Sequence, residues 1–76
     1  MIIGGNMGDT FKGITIVGTS DQGFSHAIEV AIERAKQTIR ELRWFAVQEQ
    51  RGAIRDGKIE YQVTLEVFFK LTADQI

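Results

Sequence analysis

Hydrophobic and polar positions change period twice along this chain. In "FKGITIV", Ile14 and Ile16 fall on one face and Thr15 and Val17 on the other, which predicts a first strand over about Phe11 to Val17, closed by a turn-like Gly18-Thr19-Ser20. Thr19 followed by Gln22 has capping-box spacing, and Asp21 suits the positive end of a helix dipole, so a helix is expected to start at Ser20 or Asp21. Phe24, Ile28, Ala31, Ala35, Ile39 and Leu42 then recur three or four apart, an apolar stripe of roughly six turns. Glu29, Glu33, Lys36, Arg40 and Glu41 make the opposite face. No Gly or Pro stops this stripe, so the change of period marks its end.

After Arg43 the run "WFAVQEQRG" reads at period two, with Phe45 and Val47 on one face and Trp44, Ala46, Gln48 and Gln50 on the other. "AIRDGK" supplies a turn. From Ile59 to Leu71 every odd position is apolar or aromatic and the even ones are largely polar, which predicts a long third strand buried on its odd face. A three-residue loop, Arg55-Asp56-Gly57, with a left-handed Gly57, keeps Phe45 and Val47 on that buried side; a two-residue turn at Asp56-Gly57 would mix the faces. The expected fold is therefore α+β: a β-α-β-β unit whose three-stranded antiparallel sheet, in the order 1-3-2, packs around one long helix. Trp44 and Phe68 then lie opposite each other on the face away from the helix, uncovered in a monomer. Such a pair, beside two open sheet edges, predicts subunit contacts, a ligand, or both.

Composition narrows the choice. The chain has 76 residues, no proline, no cysteine and one histidine, which excludes a disulfide framework and a Cys-based zinc site. A domain this small without such staples commonly gains stability by oligomerising. With 9 basic and 10 acidic residues, the net charge of -1 gives no general attraction to nucleic acid or anionic membranes. Residues 1–10, "MIIGGNMGDT", read as a flexible or appended lead-in, with Met7 as an alternative start; residues 11–72 read as one domain and 73–76 as a tail. The lead-in lacks the basic and apolar regions of a signal peptide, and the whole reads as an ordinary cytoplasmic protein. No nucleophile, base and acid stand at catalytic spacing, and His26 reads as a solvent-facing residue at the helix start, so neither an enzyme nor a metal site is expected.

The ordered pieces "VGTS", "AIEVAIERAKQTIRELRWF", "EQRG" and "YQVTLEV", spread over about Lys12 to Leu71, resemble the dodecin family. The resemblance implies a hollow homododecamer that binds flavin, FMN or the related riboflavin and FAD, with pairs of flavins stacked between tryptophans of symmetry-related subunits. It also allows coenzyme A as a ligand. By the same resemblance Trp44 is the stacking residue, Gln62 meets the polar edge of the isoalloxazine, and Arg51 and Lys70 lie near the flavin and its phosphate. The chemistry is coherent: an electron-rich indole suits a flat electron-poor ring, a carboxamide offers both a donor and an acceptor, and guanidinium fits phosphate.

Without the resemblance, Trp44 reads as an edge aromatic, Gln62 as a solvated strand position, and Arg51 and Lys70 as surface charges. Two positions depart from the family pattern: Ala46 where an acidic residue is expected, and Phe68 where a small one is. The three-residue loop also places Gln62 opposite Gln50, six residues or roughly 20 Å from Trp44 along a strand. Either two subunits build the site or a bulge near Gly52 changes the alignment. Flavin storage and photoprotection is the leading function, and a scaffolding oligomer of the same fold without flavin is the alternative.

Overall fold

The computed structural model describes residues 8–72, which form β1 (Phe11–Ser20), α1 (Phe24–Lys36), β2 (Leu42–Arg55) and β3 (Lys58–Lys70). Most of the expected lead-in, residues 1–7, and the whole expected tail, 73–76, lie outside the described residues. The strands make one antiparallel sheet in the order β1-β3-β2, as the pattern predicts.

The odd row of β3 is the core. Val63, Leu65 and Val67 are fully buried at 0% exposure, and Ala27, Ala31 and Ala35 of α1 lie above them. Alanines at every fourth position let the helix sit low on the sheet, and Gly18 lets it sit lower still. A Cβ at Gly18 would fall 2.5 Å from the Ala27 carbonyl oxygen and 2.7 Å from Ala31 Cβ. Ile14, Ile16, Phe24, Ile28, Ile32, Ile39 and Leu42 close the rim of this core.

The helix is shorter than its stripe. It ends at Lys36, where Gln37 and Thr38 donate to the Arg34 and Ala35 carbonyls three residues back, a tightened last turn that satisfies the C-terminal acceptors. Ile39 and Leu42 still reach the core, but through a connector in which Glu41 takes φ 64°. Side-chain spacing continued across a change of backbone. At the other end β1 runs on to Ser20 and the helix begins at Phe24, with Gly23 at the cap position and no side-chain cap. Thr19 and Gln22 make no capping box, and the first turn holds no acidic residue, so Asp21 lies outside it. Instead Ser20 Oγ accepts the Gln22 N–H at 2.9 Å and lies 2.7 Å from His26 Nδ1, which makes His26 a half-buried, bonded residue rather than a solvent-facing one.

The hairpin turn also differs from expectation. Asp56 (φ 53°) and Gly57 (φ 76°) form a two-residue turn with Arg55 paired to Lys58, because two successive left-handed residues match the twist of the flanking strands. The mixing of faces that this turn would cause is undone by an irregularity between Val47 and Glu49. Beyond it Phe45 pairs with Val67 and Trp44 with Phe68, as predicted. Gly57→Ala is expected to lower stability by about 1 kcal/mol, because a side chain is disfavoured at this φ; denaturant unfolding at fixed protein concentration checks it.

The helix packs chiefly on β1 and β3. Phe45 and Val47, expected beneath it, therefore remain 43% exposed on the inner face of β2. The β2–β3 hairpin extends well past the helix, giving the described chain dimensions of 60 × 20 × 16 Å. Ile54 and Ile59 sit exposed near its tip.

Candidate functional site

The outer face of the sheet carries the even positions of β3, the odd positions of β1 and the Trp44 side of β2. At one end of this face three aromatic rings meet. The Trp44 indole stacks on Phe68 with centroids 4.7 Å apart and planes 13° from parallel, and Phe11 meets the indole at 4.9 Å and 64°. Trp44 is still 47% exposed. Gly13, across β3 from Trp44, makes room for this arrangement: a Cβ there would lie 2.8 Å from the Phe68 ring and 2.6 Å from Glu66 Oε2.

Lys70 belongs to the aromatic end. It pairs in register with Phe11, its backbone N–H donates to the Glu41 carbonyl at 3.0 Å, and its ammonium is 3.3 Å from Asp9. Beside Trp44, at the edge of β2, an open cleft of about 620 Å³ is lined by apolar Ile32, Leu42 and Phe45 and by basic Lys36 and Arg43. Arg43 donates to Glu41 at 2.7 Å, and that hydrogen bond, followed by the guanidinium charge, holds the Glu41 carboxyl below its usual range. The pair is exposed and screened by solvent. The small stability it contributes is present above the ordinary glutamate pKa and is lost as pH falls through the lowered value.

Gln62 and Arg51 stand at the other end. The shifted register sets Arg51, not Gln50, opposite Gln62, and turns Arg51 onto the outer face. Arg51 Nε donates to Gln62 Oε1 at 2.7 Å; Gln62 Nε2 donates to Glu60 at 2.9 Å; Arg55 pairs with Glu60 at 3.3 Å. This chain of contacts fixes which end of the carboxamide is oxygen. Each end keeps capacity for one more bond, a lone pair on Oε1 and a hydrogen on Nε2.

The four residues predicted from the sequence thus form two groups. Trp44 and Lys70 share one end of the face, and Arg51 and Gln62 are in direct contact at the other. Phe68 and Gln62 lie six positions apart on β3, roughly 20 Å of strand. Phe11 and Glu60 were missed by sequence reasoning. Phe11 shares odd parity with Thr15 and Val17, which would have placed it on the Trp44 face; Glu60 carried no signal until the hairpin register was known. Among the described residues there is no group of three or more His, Cys, Asp or Glu side chains placed to hold a metal ion, and no helix long and apolar enough to cross a membrane.

Comparison with known proteins places this geometry in a family. The dodecin family model matches residues 10–72. The dodecin of Thermus thermophilus is 48% identical over 66 residues, covering 86% of this chain and 96% of that protein. The calcium dodecin of Mycobacterium tuberculosis is 38% identical over 66 residues, covering 86% and 93%. Among solved structures, the Thermus thermophilus protein superposes with TM-score 0.80 at 47% identity, covering 86% of this chain and 97% of its own. The Streptomyces coelicolor dodecin superposes with TM-score 0.82 at 40% identity, covering 88% and 97%.

Proposed function

The chain belongs to the dodecin family, and on that premise we propose that it is a flavin store: a homododecamer that holds FMN, or riboflavin or FAD, between subunits and shields it from light-driven chemistry. The observation that carries this reading is the half-exposed Trp44 indole on a sheet face that no other element among the described residues covers. An exposed indole already aligned by neighbouring rings is suited to stacking on an isoalloxazine, and electron transfer from indole to the excited flavin would quench it.

The polar requirements of the ligand fit the other end of the face. Gln62 offers its remaining donor and acceptor to the pyrimidine edge, while Arg51 commits Nε to Gln62 and would meet a phosphate with its Nη groups. Because roughly 20 Å of strand lies between Trp44 and Gln62, one chain does not present both to one flavin; a neighbouring subunit would supply the second. Lys70, beside Trp44, would add a cation to the same slot. Open strand edges and the exposed Phe45, Val47, Ile54 and Ile59 provide surface for such an assembly. Coenzyme A, with its own adenine ring and phosphates, would suit the same combination of stacking and basic groups. A carboxamide, a guanidinium and an ammonium are groups suited to binding such a ligand.

A titration tests this function. FMN fluorescence is expected to fall steeply when the ligand-free protein is added at micromolar concentration, and to return on denaturation. Unchanged fluorescence would refute flavin binding. It would leave the second reading, a scaffold of the same fold, which draws its support from Phe68 already occupying a stacking position on Trp44.

A further inference from the structure

We propose that Phe68 is a positioning residue, which together with Gly13 and Phe11 clamps the Trp44 indole in the orientation that receives a flat aromatic ligand. This rests on the flavin reading above and assigns a role to the phenyl ring that otherwise looks like an obstruction.

Three observations carry it. Phe68 and Trp44 are within 13° of parallel at 4.7 Å, so the phenyl ring backs the indole and leaves it 47% exposed. Phe11 meets the same indole at 64°, restricting rotation away from that stack. The phenyl ring is itself held in place by a missing side chain, since a Cβ at Gly13 would come within 2.8 Å of it. Phe68 and Gly13 are register partners on adjacent strands, and Phe68 and Trp44 are partners on the next pair, so the clamp is one row across the sheet. An indole already held in its stacking rotamer loses less freedom on binding, and its second ring neighbour adds to the aromatic surface under the ligand.

The sole tryptophan makes the clamp directly measurable. Near-ultraviolet circular dichroism and acrylamide quenching of the ligand-free protein report the order of Trp44, and FMN titration reports binding. Phe68→Ala is expected to weaken the indole dichroism, raise its accessibility to acrylamide and weaken FMN binding about threefold to tenfold at unchanged assembled mass. Phe68→Tyr should restore all three. Gly13→Ala provides a second route from another strand: the three atoms nearest its methyl group would be side-chain atoms of Phe68 and Glu66, which can be displaced while the backbone stays. It should reproduce the Phe68→Ala result, and it serves if that variant does not assemble. Unchanged indole signals in Phe68→Ala, or FMN binding that becomes tighter, would overturn the proposal; tighter binding is what a ring blocking the slot would give. Failure of the unaltered protein to bind FMN would sink the flavin reading instead, and the ligand-free indole signals would still decide whether the clamp exists.

Discussion

Replacing Trp44 with alanine is expected to weaken FMN binding by about thirtyfold or more, the loss of about 2 kcal/mol that a central aromatic contact typically contributes. The same substitution should abolish most flavin quenching, since no other indole is present to donate an electron. Its effect on folding is a separate cost of similar size. Trp44 sits outside the core and is half-exposed, but the fold loses its ring contacts with Phe68 and Phe11, about 0.5–1.5 kcal/mol each beyond the apolar area they bury. Fluorescence titration combined with a light-scattering mass separates the two effects. Full quenching by an assembled Trp44→Ala protein would remove the indole from the site, and loss of assembly would show that the ring serves subunit contact first.

The largest effect on stability is expected from Gly18→Val. The new Cβ would lie 2.5 Å from a backbone carbonyl oxygen of α1, and its branches would press on Ala31. Neither neighbour is the free end of a flexible side chain, so the helix itself must lift from β1. Lifting it uncovers Val63, Leu65 and Val67, the three fully buried side chains of the central strand. Overpacking of this kind costs about 1–3 kcal/mol, and this site lies at or above the upper end because backbone must move. Denaturant unfolding should show a loss of about 3 kcal/mol at a fixed protein concentration, which matters because assembly is linked to folding. A loss below about 0.5 kcal/mol would mean that the helix does not approach the strand as closely as described.

Strand faces were legible in the sequence because alternation is a direct consequence of the pleat, and the odd row of β3 and the outward turn of Trp44 follow from it. Sheet order was legible because placing the most apolar strand between the others buries it. Helix length was not, because Ile39 and Leu42 reach the same core from a non-helical connector, and a spacing of three or four does not distinguish the two. The hairpin register failed for a related reason. Asp56-Gly57 has the chemistry of a two-residue turn, but face parity argued against it, and the irregularity at Gln48 that reconciles them leaves no mark in residue type. The two-residue turn is what brings Arg51 against Gln62, and the irregularity returns Trp44 to Phe68, so the polar half of the site became visible only with the backbone. Trp44, Arg51, Gln62 and Lys70 came from the resemblance, and the separation of their two groups came from the sheet.

The proposed function requires one flavin held by two subunits, with Trp44 of one and Gln62 of another. A crystal structure of the assembled protein soaked with FMN tests it most directly. The expected density is an isoalloxazine stacked on the outward side of Trp44, its pyrimidine edge bonded to the Gln62 carboxamide of a neighbouring subunit. An occupied flavin bound away from Trp44, or one whose ring touches Trp44 and Gln62 of the same chain, would contradict it.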